Sequence, residues 1–405
     1  MSNIHQISSD FYWLGALDPN LRTFDIVMET EFGTSYNAYL LKTTDGVILF
    51  ETVKEKFFED YFEKLTSLVS LVDIKYIIVN HTEPDHAGSV SKLIERVPHI
   101  TVVGSQIAIK NIGHMIHASF NSLSVKDGQT LTLGNKTVRF ISSPQLHWPD
   151  TMYSYIEEDK FLITCDSFGA HYCDSRLYRS ALEPEKDEAY LSSYQYYYDN
   201  IMGPFKPFVL KALDKIKPLE INLICPGHGM ILDPSNISYY LDLYEEWSQP
   251  VIHSPRIVIA YVSAYGYTKQ LAHAIYDGIK ASGYTGDVDL FDLEVEPIDK
   301  VLAVVNTAQG LLVGSSTILG DTLPPIWQLL TTLNPILHKH LYMGCFGSYG
   351  WSGEALSNIE TRIKQLKCTM PLAPLGVIFR PNQEDLEKAS NFGKQFVEAL
   401  TLKSK

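Results

Sequence analysis

Two groups of residues carry the chemistry, one in each half of the chain. In the first half, Asn80-His81-Thr82-Glu83-Pro84-Asp85-His86-Ala87-Gly88 follows a short apolar run and places four potential metal ligands on one tight segment. Further candidates come after other such runs: His147 in Ser143-Pro144-Gln145-Leu146-His147-Trp148, Asp166 directly after Phe161 to Cys165, and His228 in Cys225-Pro226-Gly227-His228-Gly229. A lone histidine is ordinarily a solvent-facing or hydrogen-bonded side chain. Four separate strand ends supplying His, Glu and Asp instead amount to two metal spheres, because a carboxylate such as Asp166 can bridge two cations and lower their mutual repulsion. Pro84 argues against a helix in the first of these loops.

The second group lies between residues 263 and 353. Ser263-Ala264-Tyr265-Gly266-Tyr267-Thr268 precedes a helical pattern and offers hydroxyls and free N–H groups at a helix N-terminus, a pocket suited to a phosphate monoester. The dinucleotide fingerprint G-x-G-x-x-G is absent, which favours a mononucleotide over NAD. Two more loops follow, Gly314-Ser315-Ser316-Thr317-Ile318-Leu319-Gly320 and Gly344-Cys345-Phe346-Gly347-Ser348-Tyr349-Gly350-Trp351-Ser352-Gly353. Their glycines let backbone approach a flat ring, and Tyr349 and Trp351 offer faces for stacking on an isoalloxazine, so FMN is the expected cofactor.

The elements that must position these residues follow from hydrophobic periodicity. Strands are expected at 46–50, 76–79, 101–103, 138–141 and 161–164, with helical patterns at 54–69 and 89–96 covering a sheet face. The first half is therefore an α/β layered domain rather than a barrel. The tyrosine-rich run Tyr190 to Tyr198 is read as helical. Ser248-Gln249-Pro250 and Ser254-Pro255 mark a linker near 248–255, giving domains at 1–250 and 251–405. Beyond it the alternation is regular: strands at 257–261, 288–292, 310–314 and 341–344, and helices at 268–281, 324–332 and 353–366. That is the pattern of a doubly wound parallel sheet.

With 405 residues, 45% hydrophobic and 20% charged, the chain can build two cores. A net charge of −14 leaves no basic footprint for nucleic acid. The five cysteines form no C-x-x-C pair, which excludes a zinc ribbon or a rubredoxin-type iron site and suits a reducing compartment. No leader-like N-terminus or membrane-length apolar run is present, so a cytoplasmic protein without membrane association is expected.

The ligand order resembles that of the metallo-β-lactamase superfamily, whose signature reads His-x-His-x-Asp-His, with Glu83 standing where the second histidine would be. A carboxylate there hardens the site and favours iron over zinc. That departure is typical of the flavodiiron branch. The run from Phe346 to Ala355 closely matches the flavodiiron pattern, and the second half is similar to short-chain flavodoxins. The resemblance implies an αββα sandwich followed by a flavodoxin-like domain, with two iron ions. His81, Glu83 and His147 would hold one, Asp85, His86 and His228 the other, and Asp166 would bridge them. It also implies that FMN is held by Ser263, Tyr265 to Thr268, Ser315 to Leu319 and Phe346 to Trp351. Ser316 departs from a family proline and Tyr267 from a frequent asparagine, yet neither removes a phosphate donor.

A di-iron site with a flavin relay implies reduction of O2 to water for oxygen detoxification, or of NO to N2O on the same site. A binuclear zinc hydrolase and a flavodoxin-like electron carrier with an inactive metal domain are the readings of a different class. By resemblance the partner is a second copy in a head-to-tail homodimer, or a dimer of dimers. With no fused rubredoxin, electrons come from a separate rubredoxin, a flavoprotein reductase or a reduced deazaflavin. Asp25, where many relatives carry a histidine, and Tyr198 are the candidates for lining the substrate pocket.

Overall fold

The computed structural model describes residues 4–250 and 254–402. The chain divides into two compact units, Met1–Pro250 and Val251–Lys405. Residues 251–253 of the expected linker lie outside the described residues.

In the first unit two sheets face each other. One has the order His5–Gln6, Phe11–Trp13, Tyr39–Thr43, Gly46–Phe50, Ile74–Ile78, Thr101–Gly104, Asn121–Ser124. The other runs Thr130–Leu133, Lys136–Ser142, Met152–Ile156, Phe161–Cys165, Leu223–Pro226. Period-two alternation builds the layers. Ile48 and Phe50 point into the inter-sheet core with Phe161 and Ile163. Val47 and Leu49 point outward onto a core shared with Phe58–Leu68 and Val90–Arg96, and Leu162 points outward onto the core beneath Asp187–Tyr197, Lys206–Ile216 and Ile237–Trp247. The result is the αββα sandwich.

The second unit is one parallel sheet, ordered Asp287–Asp292, Arg256–Tyr261, Gly310–Gly314, Tyr342–Tyr349, Leu375–Ile378. Taken by position in the chain this is the 2-1-3-4-5 flavodoxin-like order. Separate cores on its two faces account for the near-continuous apolar strands. Ile298–Val305, Leu375–Ile378 and Gln383–Leu402 are elements beyond those expected from the periodicity. The fourth strand, expected to end at 344, continues through Tyr349 because it pairs with Leu375–Ile378.

One local expectation fails. Pro84–Ala87 form a single helical turn, with Pro84 at its first position, where the missing N–H costs nothing and the fixed φ suits a helix.

Candidate metal and flavin sites

The seven expected ligands converge at one edge of the sandwich. His81 and Glu83 follow strand Ile74–Ile78, and the helical turn Pro84–Ala87 carries Asp85 and His86. His147 hangs on the loop after Lys136–Ser142, Asp166 directly follows Phe161–Cys165, and His228 follows Leu223–Pro226. Asp166 faces both ways. Its Oδ2 lies 3.2 Å from His81 Nε2 and 3.5 Å from His147 Nε2, and both imidazoles also meet Glu83 Oε2, at 3.1 and 2.9 Å. Its Oδ1 lies 2.9 Å from His86 Nε2 and 3.6 Å from His228 Nε2, and those rings meet Asp85 Oδ2 at 3.3 and 3.0 Å. Two donor groups, His81–Glu83–His147 and Asp85–His86–His228, thus share one carboxylate.

The donor set asks for cations. Burial alone would lower the histidines, but the adjacent carboxylates of Asp150 and Glu83 lift His81 to about 10 and the charges of Asp85 and Asp166 lift His86 to about 9. Burial alone would raise Asp166, but His86 and His147 hold it well below the usual carboxylate range. Asp85 Oδ1 is buried without a hydrogen bond. Buried carboxylates that must borrow protons from each other's imidazoles are a site shaped for bound metal ions.

Residues that the sequence reading did not single out hold the donors in place. Asp150 Oδ2 accepts from Thr82 N at 2.8 Å and from Thr82 Oγ1 at 2.7 Å, and its Oδ1 stands 3.5 Å from His81 Nδ1. His228 Nδ1 donates to Ser35 O at 2.6 Å, which leaves the Nε2 lone pair facing the cluster. Tyr197 donates to Asp166 Oδ1 at 3.0 Å. His171, kept neutral by burial and by His228, packs on Tyr197 and His228 with ring centroids 4.8 and 5.1 Å away and meets Thr34 Oγ1 at 3.0 Å. Glu51, buried at the end of Gly46–Phe50, accepts from Asn80 N at 2.9 Å and so anchors the start of the ligand loop.

The two pocket candidates separate. Asp25 sits at φ +47° in the tight turn between Thr23–Phe24 and Met28–Glu29. Burial and the negative charges of Glu83 and Asp85 push its carboxyl up to about 6. Next to it Ile26 and Val27 stand 93% and 80% exposed. Tyr198 points away from the cluster: its hydroxyl lies 2.7 Å from Ser248 Oγ and its ring packs between Tyr244 and Trp247. One residue along a helix turns a side chain by about 100°, so the neighbour Tyr197 takes the inward position instead.

In the second unit a cavity of about 420 Å³ opens among Tyr265, Tyr267, Ser316, Thr317, Ile318, Ser348, Tyr349, Gly350 and Trp351, with Phe379 on its rim. Helix Tyr267–Ala281 starts there behind Gly266, which adopts φ +80° and supplies no side-chain cap; Lys269 N donates to Ser263 Oγ, and no side chain accepts from the N–H groups of Tyr267 and Thr268, which are left to face an anion at the helix start. Thr268 Oγ1 lies 3.2 Å from Ser316 Oγ and 3.0 Å from Ser348 Oγ, gathering three hydroxyls at the helix start. Tyr265 and Trp351 are 81% and 98% exposed. This arrangement fits a phosphate with a planar ring. Not every loop residue lines the cavity. Ser263 accepts from Lys269 N and Ser315 from Leu323 N, which fixes the loops, while Phe346 is core. Gly347 is required by a close approach, since a Cβ there would sit 2.0 Å from Ser315 O. Leu319, at φ +55°, is fully exposed.

Comparisons with known proteins agree with both domains. The family described as ODP family beta lactamase matches residues 34–229, and Flavodoxin matches 259–393. Type A flavoprotein fprA of Rhodobacter capsulatus is 38% identical over 402 residues, covering 98% of this chain and 91% of that protein. The chain belongs to the flavodiiron, or type A flavoprotein, family. Within it, a protein of Moorella thermoacetica named nitric oxide reductase is 36% identical over 404 residues, covering 98% of each. The solved rubredoxin oxygen:oxidoreductase of Desulfovibrio gigas is 28% identical with a TM-score of 0.69, covering 99% of each chain.

Proposed function

We propose that this flavodiiron protein reduces O2 to water, as an oxygen-detoxifying enzyme, with two irons at the histidine–carboxylate cluster and FMN in the 420 Å³ cavity. The observation that carries the reading is Asp166, whose two oxygens face two separate donor groups in a chain that also holds a flavin cradle. His81, Glu83 and His147 would hold one iron and Asp85, His86 and His228 the other, with Asp166 the carboxylate shared between the two groups. Bound there, two ferrous ions and a reduced flavin together store the four electrons that reduction of O2 to two waters consumes.

The protein's part is geometry and charge. Asp150 and Ser35 O fix the ring orientations of His81 and His228, and Tyr197 pins the bridging carboxylate. Burial of the cluster excludes bulk water and strengthens each charge interaction. Asp25 stands at the mouth against Glu83, so a pocket carboxylate replaces the histidine expected from relatives. Thr268, Ser316 and Ser348 with the helix N-terminus take the phosphate, and Tyr265, Tyr349 and Trp351 flank the ring.

Exposed Tyr265, Leu319, Trp351 and Phe379 around the flavin cavity, and exposed Ile26 and Val27 beside the metal cluster, are two apolar rims of the kind that a partner covers. They support a head-to-tail homodimer, alone or paired into a dimer of dimers, in which one copy's flavin faces the other's metals. Electrons arrive from a separate rubredoxin, flavoprotein reductase or reduced deazaflavin in the cytoplasm. Among the described residues no helix is long and apolar enough to cross a membrane.

Reduction of NO on the same site is the near alternative, favoured by the Moorella relative's name. Metal and flavin analysis, then anaerobic reduction and separate mixing with O2 and NO, tests the proposal. About two irons and one FMN per chain with fast reoxidation by O2 is the expected result. Preferential turnover of NO moves the assignment to NO, and zinc without flavin moves it to a hydrolase.

A further inference from the structure

The tyrosines of the first unit are unevenly placed. Among the described residues, the buried core beneath Asp187–Tyr197 and Ile237–Trp247 holds eight tyrosines and one phenylalanine, while the inter-sheet core beside it holds one buried tyrosine with Phe11, Phe50, Phe140 and Phe161. Packing does not require this, since phenylalanine fills nearly the same volume without a hydroxyl to desolvate. The enriched layer begins at the metal cluster. Tyr190, Tyr194 and Tyr197 stand at i, i+4 and i+7 on the buried face of one helix, so successive rings are about one turn apart. Tyr197 bonds Asp166, and beyond it Tyr194 meets Trp247 at 5.8 Å and Tyr240 at 4.7 Å between ring centroids. Trp247 is half-buried at the surface, and Tyr240 touches the half-exposed Tyr239 at 5.2 Å.

We propose that Tyr197, Tyr194 and Trp247 form an electron-supply chain that discharges oxidising equivalents left at the metal cluster when O2 arrives faster than electrons, with Tyr240–Tyr239 as a side exit. The inference rests on the O2-reducing function above. Phenol and indole are the side chains that give up one electron most readily apart from thiols. In the first step Tyr197 gives one electron to the oxidised site and lends its phenolic proton to the Asp166 carboxylate along their 3.0 Å hydrogen bond. Tyr194 then relays an electron to Tyr197, which takes its proton back; the Tyr194 hydroxyl, buried without a hydrogen-bond partner, keeps its own proton, and the electron it gave up is replaced at once from Trp247. Trp247 releases its indole proton to water. A thiol in solution finally returns an electron and a proton to Trp247, and two thiyl radicals couple to a disulfide. In total the site gains one electron and one thiol becomes half a disulfide. The phenols and the indole are unchanged, and the proton released to water is the thiol's. Without the chain, the same oxidant attacks the nearest side chains, which are the metal-facing histidines and Tyr197.

The test uses the intact holoprotein, reduced with fewer electrons than complete reduction of O2 needs, mixed with O2 and analysed by freeze-quench EPR and by mass spectrometry of oxidised residues. Wild type is expected to show an organic radical that added thiol quenches, with oxygen adducts concentrated at Trp247 and Tyr239. Tyr194→Phe keeps the packing and removes the phenol. It should leave the initial O2-uptake rate unchanged, move adducts inward to Tyr197 and His228, and cut turnovers before inactivation several-fold. Trp247→Phe, which blocks the main exit from outside, should shift adducts to Tyr239. If O2 is consumed but both variants give the wild-type adduct map and lifetime, the proposal is overturned while the function stands. If wild type consumes no O2, the function itself fails and the chain with it.

Discussion

Replacing Asp150 by asparagine tests whether the second sphere sets metal affinity. Asp150 lies outside both donor groups, yet it sits on the far side of His81, with Oδ2 held by two hydrogen bonds from Thr82 and Oδ1 3.5 Å from His81 Nδ1. Hydrogen bonds to both His81 and Thr82 hold its own carboxyl low against the effect of burial, so it is ionised and fixes the proton on Nδ1, leaving Nε2 free to bind metal. In Asp150→Asn the amide oxygen is retained by the two Thr82 donors, so the amide NH2 must face His81 Nδ1. A donor then opposes a donor, and the ring either turns or takes the tautomer with its proton on the metal-facing nitrogen. Loss of such a partner typically weakens metal binding about 10–100-fold, or roughly 1.4–2.7 kcal/mol. Competition between the apoprotein and a graded chelator for ferrous ion measures this directly, with thermal unfolding of the apoprotein as the control. The Thr82 bonds survive, so the apoprotein's Tm should stay close to wild type. Equal metal affinity in wild type and Asp150→Asn would refute the reasoning and leave Asp150 as a loop anchor only.

Further expectations concern the other parts of the two sites. Thr268→Val removes the hydroxyl that joins Ser316 and Ser348, and loss of one hydrogen bond to a charged phosphate should weaken FMN by about 1.5–3 kcal/mol, read by flavin fluorescence titration. Gly347→Ala places a Cβ 2.0 Å from the Ser315 carbonyl, a backbone clash that should unfold or strongly destabilise the second unit, seen as a lost flavin-dependent melting transition. Asp25→Asn should stabilise the metal-free protein in a pH-dependent way. The folded carboxyl titrates near 6, above the ordinary carboxylate, so its ionisation penalty is absent below about pH 4, grows up to about pH 6 and is complete above it. A Tm gain at pH 8 that vanishes at pH 4 is the expected pattern, and a gain independent of pH would count against it. Tyr198→Phe should cost only its bond to Ser248 and leave metal content and turnover intact, whereas Tyr197→Phe should alter the iron spectrum by freeing Asp166.

The sequence made most of the fold legible because its chemistry-bearing residues lie where strands end. The run Gly310–Gly314 and the helix Pro324–Thr332 appear at the expected residues, since each is bounded by glycine, proline or a polar break. Leu375–Ile378 was not legible: it is a short strand, recognisable only once Tyr342–Tyr349 is available to pair with it. The single turn at Pro84–Ala87 was misread because proline forbids a helix interior but not a helix start.

For the site, the division falls between ligands and their supports. Metal-ligating residue types are rare and recur at strand ends, so the proposed ligands His81, Glu83, Asp85, His86, His147, Asp166 and His228 stand out by type and order. Asp150, Ser35, Thr34 and His171 act through hydrogen bonds and ring contacts, and such contacts exist only after distant segments have come together: Ser35 and His228 are 193 positions apart. Tyr197 and Tyr198 sharpen the point. The tyrosine-rich run was expected to be helical, and the structure makes it so, but which ring faces the cluster depends on the helix's rotation about its own axis. That rotation is set by Tyr190 and Tyr194 packing against Tyr240 and Tyr244, residues of a helix some fifty positions further on. A phenol beside the metals was therefore foreseeable from this segment, while its identity was a property of the packed layer.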